Sequence, residues 1–136
     1  MPIEKVWEKI NLPRGDLQLL KDSHASGVLR LTQSNYGIDQ TTYFRDTVFV
    51  NLPWFQVDGK EMAVANFDLI IDGESFGVFR LELSHKPSWE SNQDNYTTGL
   101  HWGSALPAIQ KESLIGKTLT MYKAQGESYG YQLSIS

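Results

Sequence analysis

Two polar segments of this 136-residue sequence carry the side chains best suited to binding a ligand. Residues 32–45 read TQSNYGIDQTTYFR, and residues 84–102 read SHKPSWESNQDNYTTGLHW. Both are dense in Gln, Asn, Ser, Thr and Tyr and contain a few Arg or Lys. Amide groups pair with the edges of bases, Arg and Lys pair with guanine, and hydroxyl groups reach phosphate oxygens. Composition alone favours two ordinary polar loops. The order of the two segments along the chain and the strands that flank them are needed to distinguish a binding site from such loops.

The sequence contains no recognisable catalytic motif. The three histidines, His24, His85 and His101, lack the helical spacing and the acidic partners of a metal motif. A G-x-S-x-G nucleophile elbow and a G-x-x-x-x-G-K-[ST] phosphate loop are both absent from the sequence. We therefore expect no catalytic residue, no metal ligand and no cofactor.

Two nuclease patterns are also incomplete in the sequence. Asp72 and Glu82 flank a central turn, but Ser84 occupies the place where a metal-dependent nuclease would use a lysine. His85 and Lys86 are adjacent, whereas nucleases of the phospholipase D type separate their His and Lys by one residue. Surface carboxylates on a hairpin explain this region better than an active site does.

Length and composition limit the class of protein. A chain of 136 residues fits one domain, and its sixteen aromatic residues argue against disorder. The absence of cysteine excludes disulfides, zinc–thiolate sites and iron–sulfur clusters. No apolar run approaches the roughly 20 residues of a membrane helix. The net charge of −4 argues mildly against nucleic acid, although the acidic excess lies in residues 51–100. We expect a soluble, cytoplasmic protein without a membrane partner.

The hydrophobic pattern predicts a mainly β domain. Alternating apolar residues in 62–71 and 79–83 flank the Asp72-Gly73 turn and predict a hairpin. Residues 1–15, with two prolines, are predicted to be a linker or entry segment that leads into a domain covering 16–136. Further strands are predicted at 28–32, 41–50, 96–102, 118–123 and 129–135, and short helices at 17–21 and 104–114. Such a set indicates a small, mostly antiparallel barrel or sandwich.

The order of the polar segments within these elements resembles the B3 DNA-binding domain. Residues 31–37, LTQSNYG, and 42–45, TYFR, are similar to that family's first arm. Trp89, the Ser91-Asn92-Gln93 triplet and residues 96–102, YTTGLHW, are similar to its second arm. Leu114-Ile115-Gly116 matches the lead into its penultimate strand. Two features differ from the plant members of the family and resemble the bacterial branch. Leu100 and His101 separate Gly99 from Trp102, and Lys117 follows Gly116.

The resemblance implies a function and a fold. Bacterial B3-like domains recognise DNA for restriction endonucleases, including enzymes whose catalytic part is of the phospholipase D type. The implied fold is a seven-stranded open pseudobarrel, mostly antiparallel, with two short helices. Two arms, residues 33–45 and 85–96, would grip the major groove of double-stranded DNA. Residues 1–15 would then be a linker from a nuclease catalytic domain in the full-length protein.

The resemblance also implies a role for each arm residue. Amides are candidates for base edges, Arg45 and Lys86 for guanine or phosphate, and hydroxyl groups for phosphates. Glu90 and Asp94 are candidates for accepting from cytosine, and Trp89 for packing under its arm. Trp102 and Phe44 are expected in the core. The predicted DNA-binding residues are Gln33, Ser34, Asn35, Tyr36, Gln40, Thr42, Tyr43, Arg45, His85, Lys86, Ser88, Trp89, Asn92, Gln93, Asn95 and Tyr96.

Two other function classes stay open at this point. Trp54, Trp89 and Trp102, together with surface amides, would suit a carbohydrate-binding β-domain, and the acidic charge favours that class over DNA. A module that uses the same segments to bind another protein is the third alternative.

Overall fold

The computed structural model describes residues 3–19, 27–31, 42–86, 98–124 and 130–136, and the account of the fold is limited to them. Eight strands form one sheet. Their bounds are β1 Ile3–Lys9, β2 Val28–Leu31, β3 Phe55–Val57, β4 Lys60–Ile71, β5 Glu74–His85, β6 Thr98–His101, β7 Leu119–Ala124 and β8 Tyr131–Ile135.

The sheet curls into an open half-barrel. Seven strands follow the order β1-β7-β8-β4-β5-β6-β2, and β3 pairs with the start of β4 beside this path. The β4–β8 pair is parallel, and the other pairs are antiparallel. The predicted mainly β class and open, seven-stranded pseudobarrel are therefore confirmed. Among the described residues, no helix is long and apolar enough to cross a bilayer.

The hairpin of β4 and β5 contains the two longest described strands of the barrel and follows the predicted alternation. Ala63, Ala65, Phe67, Leu69 and Ile71 are buried on one face of β4. The turn at Asp72-Gly73 has positive φ at both residues, 51° and 84°, as a two-residue hairpin turn requires. Each strand has 12 residues, so the hairpin extends further than the prediction did.

Part of the predicted linker or entry segment at residues 1–15 belongs to the sheet. Residues 3–9 form β1 and pair antiparallel with β7, and Val6 and Trp7 are buried. Pro2 and Pro13 flank this strand rather than interrupt it. A register shift between Lys5 and Trp7 lets two consecutive apolar side chains reach the interior, which hides the strand from a search for strict alternation.

The prediction of a strand at residues 41–50 is wrong for the described residues 42–50. Residues Phe44–Val48 form a π-helical turn, and the Phe49 N–H closes it on the Phe44 carbonyl at 2.8 Å. Phe44, Val48 and Phe49 are buried at helical spacing. The aromatic and β-branched composition favours a strand, but packing of these side chains in the core overrides that local preference.

The helical region after β6 is broken into short pieces. A 3₁₀ turn at Gly103–Ala105 continues into an α-helix at Leu106–Ile109, and a second 3₁₀ turn follows at Glu112–Leu114. Ala105, Ile109 and Leu114 are buried, so the predicted apolar face is present although the single helix is not.

Aromatic side chains fill the middle of the barrel. Phe44 packs edge-on against Trp7 at 5.6 Å, and Phe49 contacts Phe67 and Tyr131 at 6.4 and 5.0 Å. The Tyr131 hydroxyl donates to the Val48 carbonyl, and burial raises the pKa of Tyr131 to about 12. The predicted core positions of Phe44 and Trp102 are confirmed, since both are fully buried.

A buried carboxylate links the two outer strands of the open sheet. The Asp16 side chain is 1% exposed and pairs with Lys9 on β1. It also faces Arg30 on β2, with Nε 3.5 Å from Oδ1. The Trp102 indole N–H donates to the Asp16 carbonyl at 2.9 Å. We call Lys9, Asp16, Arg30 and Trp102 the Asp16 seam, because β1 and β2 are the opposite ends of the strand order.

Candidate nucleic-acid interface

Residues 32–41 and 87–97 of the two polar segments are outside the described part of the chain, and the described residues next to them lie side by side at one end of the sheet. Leu31 is the cross-strand partner of Thr98, Thr98 is the partner of His85, and His85 is the partner of Glu61. Leu31, the last described residue before 32–41, therefore lies beside Thr98, the first described residue after 87–97. Arg45, which comes shortly after 32–41 in the sequence, contacts Glu61 on β4.

These described residues form a row across four neighbouring strands. His85 on β5 and Thr98 on β6, which stand before and after 87–97 in the sequence, are at its centre, and Leu31 on β2 and Glu61 on β4 are at its two ends. From Leu31 to Glu61 there are three steps between strands, about 14 Å at the usual spacing of about 4.8 Å. That distance is comparable with the major groove, which is about 12 Å wide.

Polar residues occupy the last interior layer at this end of the barrel. Glu61 shares a face of β4 with Ala63 and Ala65, His85 shares a face of β5 with Leu81 and Leu83, and Thr98 is two residues from Leu100. Glu61 and Thr98 are not among the predicted DNA-binding residues, and Trp54 was predicted only for the carbohydrate-binding alternative. The sequence does point to Glu61, because this carboxylate occupies the next alternate position before the buried Ala63 and Ala65 of β4.

Arg45 joins the π-helical turn to the start of β4. Its Nε and Nη2 donate to the two carboxylate oxygens of Glu61 at 3.2 and 3.0 Å. The guanidinium carbon also lies 4.7 Å from the centre of the Trp54 ring, in a cation–π contact. The Arg45 hydrogen bond lowers the pKa of Glu61, against the opposing effect of burial. A DNA contact by Arg45 would require it to exchange Glu61 for a phosphate or a base.

His85 lies inside the barrel and not on its surface. Its Nδ1 is 2.9 Å from the Thr98 hydroxyl, and its ring packs edge-on against Trp54 at 6.2 Å. Burial lowers the pKa of His85, and Arg45 adds to this effect, whereas Glu61 and Asp46 oppose it. A DNA contact by His85 would require the ring to leave this position. We call Arg45, Trp54, Glu61, His85 and Thr98 the arm-base cluster.

The other described candidates are Thr42, Tyr43 and Lys86. Thr42 is exposed, and its carbonyl accepts the Asp46 N–H. Tyr43 is half-buried, and its hydroxyl donates to the Val6 carbonyl, so this group is committed to the fold. Lys86 is half-buried, and its ammonium lies close to Gly59, 4.0 Å from where the side chain of any other residue would begin. Thr42 directly follows residues 32–41, and Lys86 directly precedes residues 87–97.

Most predicted contact residues lie outside the described residues, and their contacts with DNA stay predictions. They are Gln33, Ser34, Asn35, Tyr36, Gln40, Ser88, Trp89, Asn92, Gln93, Asn95 and Tyr96.

A serine–histidine pair occurs on the outer face of the sheet. The His101 Nε2 is 3.0 Å from the Ser84 hydroxyl, and Glu82 is the cross-strand partner of His101. Burial lowers the pKa of His101, which favours the neutral form that a general base needs. However, Ser84 is 1% exposed, so a substrate cannot approach its hydroxyl in this conformation. The pair fastens β5 to β6.

The described part of the chain contains no group of three or more His, Asp or Glu side chains placed to hold a metal ion. Comparisons of the sequence and structure with protein-family models, curated proteins and solved structures found no match.

Proposed function

We propose that this protein is the sequence-specific DNA-recognition domain of a bacterial restriction endonuclease. In this proposal, polar side chains of residues 33–45 and 85–96 contact the major groove of double-stranded DNA. The domain has no catalysis of its own and works with a nuclease catalytic domain in the full-length protein.

The observation that carries the proposal is the row of described residues that stand next to 32–41 and 87–97 in the sequence or contact Arg45. Side chains that act together on one duplex must start from a common and rigid base. The described neighbours Leu31, Thr98, His85 and Glu61 form a continuous row across four strands, which supplies such a base. A spread of about 14 Å suits a groove about 12 Å wide.

The charges near these ends are compatible with a polyanion. Arg45 forms an ion pair with Glu61, the carboxylate in the row of residues beside the two segments. Lys86 immediately precedes residues 87–97, and Arg30 lies one residue before the end of β2. Lysine and arginine in these places are suited to phosphate contacts.

The carbohydrate-binding alternative loses support from the geometry of two tryptophans. Trp102 is fully buried, and the Arg45 guanidinium lies over the Trp54 ring. A sugar therefore cannot stack on Trp102, and the Arg45 guanidinium occupies one face of the Trp54 ring.

Binding of another protein is the second candidate, and one observation favours it. All three residues of β3 are exposed, and Phe55 is 50% exposed although it is large and apolar. β3 pairs with the start of β4, so this apolar strip lies beside the arm-base cluster.

A binding titration with a duplex library tests the proposed function. We expect selection of a preferred sequence, with affinity that falls as salt rises, because phosphate contacts release counterions. Asn92→Ala should weaken specific binding by about 1–3 kcal/mol and relax discrimination at one base pair. Gln132→Ala is the matched control, since it truncates an amide on β8, which pairs with the distal half of β4.

Absence of duplex binding, or binding that does not respond to salt, would contradict the proposal. A loss that is equal on all sequences for Asn92→Ala would move this side chain from the bases to the DNA backbone. Loss of a protein partner in Phe55→Ser, with unchanged affinity for DNA, would instead support the second candidate.

A further inference from the structure

The arm-base cluster forms a continuous series of contacts between described residues of both polar segments. Arg45, the last residue of the first segment, binds Glu61 on β4. Glu61 is the cross-strand partner of His85, near the start of the second segment. The His85 ring contacts Thr98, in the later part of the second segment, and Thr98 pairs with Leu31, which directly precedes the first segment.

The contacts of Arg45 make it a poor candidate for direct binding. Both of its bonds to Glu61 would have to break before the guanidinium could turn toward a ligand, and its contact with Trp54 would be lost. A bidentate pair fixes the relative orientation of two groups more tightly than one bond does. Arg45 is therefore placed to fix the end of the first segment against β4.

The exposure of the pair limits what it adds to stability. The Arg45 and Glu61 side chains are 24% and 29% exposed. Ion pairs with this much solvent contact change an equilibrium constant by about fivefold or less. Such a pair adds little to global folding, so its main effect is on local geometry.

We propose that Arg45 and Glu61 are positioning residues, which act on bound DNA only through the geometry of the segment ends that they hold together. His85 and Thr98 extend this positioning to the second segment. This inference rests on the proposed function for its effect on DNA, and it has a second readout that does not need DNA.

The DNA experiment compares Arg45→Gln, Glu61→Gln, the double variant and the charge exchange Arg45→Glu with Glu61→Arg. We expect each single variant to weaken specific binding by about two- to fivefold, with no change in the salt dependence. The double variant should bind no worse than either single variant, and the exchanged pair should recover part of the loss. Arg14→Gln, which removes an exposed ion pair with Glu112, is the control and should bind normally.

Direct contact predicts a different pattern and would overturn the inference. If Arg45 binds a phosphate, Arg45→Gln alone should weaken binding and reduce the salt slope by about 0.9. Glu61→Gln should then leave binding unchanged or strengthen it, because it would release the guanidinium.

Amide hydrogen exchange in the full chain without DNA gives the independent readout. We expect faster exchange at Leu83–His85 and Thr98–Leu100 in both single variants, recovery in the exchanged pair and no change in Arg14→Gln. Unchanged exchange in both single variants would overturn the positioning role. If the wild-type protein binds no duplex, the proposed function fails, and exchange alone then decides whether the cluster positions these ends.

Discussion

Two carboxylates, Asp16 and Glu61, each pair with basic side chains at opposite sides of the barrel, in very different surroundings. Asp16 is 1% exposed and faces Lys9 and Arg30, and Glu61 is 29% exposed and faces Arg45. In both places a tryptophan completes the cluster, Trp102 by a hydrogen bond to the Asp16 backbone and Trp54 by contact with Arg45.

Burial gives these similar clusters different roles. Removal of one partner from a buried pair leaves a charge without compensation in a medium of low dielectric constant. Removal of one partner from a partly exposed pair leaves a charge that water can solvate. The Asp16 seam is therefore expected to hold the barrel together, and the arm-base cluster to set local geometry.

The largest expected effect separates the two carboxylates with matched amide substitutions. Asp16→Asn should lower the free energy of unfolding by about 3–5 kcal/mol, because Lys9 stays buried without its counter-charge. Glu61→Gln should lower it by about 1 kcal/mol or less. Urea unfolding of both variants measures the difference, and a gap of less than about 1 kcal/mol would remove the distinction between the clusters.

A smaller effect is expected from the two tryptophans. Trp102→Phe removes a donor to the Asp16 carbonyl in a fully buried site, and should cost about 2–3 kcal/mol. Trp54→Phe removes a similar bond to the Phe49 carbonyl in a half-buried site, and should cost about 1 kcal/mol. Thermal unfolding of the pair compares them, and equal losses would show that burial is not the deciding factor.

The smallest expected effect is the response to acid, which should involve the arm-base cluster. The pKa of His85 is lowered in the folded protein, so the unfolded chain binds more protons near pH 6.5. Stability from His85 is therefore complete above about pH 6.5 and falls as the pH decreases below it. His101 has the same direction of shift. The lowered pKa of Glu61 adds a second loss at more acid pH, below about 4.5.

Unfolding between pH 8 and 5 tests this response in the wild type and in His85→Gln. The variant should lose less stability over this range than the wild type, and His101→Gln should remove a separate part of the slope. An unchanged slope in His85→Gln would mean that its ring does not carry the effect.

The parts of the fold that depend on regular alternation could be predicted from the sequence. The β4–β5 hairpin and the strands β7 and β8 follow from apolar residues at every second position. β1 could not be predicted in this way, because Val6 and Trp7 are adjacent and both buried. The π-helical turn depends on contacts of Phe44 with distant residues, which local preferences do not encode.

The candidate site was predicted only through its segments. Their composition and order indicated the end of the barrel where they attach, but the partner of Arg45 could not be read from the chain. Glu61 lies 16 residues away and meets Arg45 only after β4 and the π-helical turn have packed. Asp16 directly precedes the short helix predicted at 17–21, and its role between the outer strands depends on the closure of the whole sheet.

The outer half of β5 has a consequence for self-association. Among the described strands, residues 74–81 pair only with β4, because β6 starts at the partner of His85 and ends at the partner of Glu82. This free edge is irregular, with a register shift opposite Asp68–Ile70 and a φ of 108° at Gly77. The Gly77 N–H is bound by the Ser75 hydroxyl, which in turn donates to Asp68. A bent edge with one of its N–H donors already bound within the strand is a poorer template for another strand, so we expect this half of β5 to disfavour edge-to-edge aggregation of the protein.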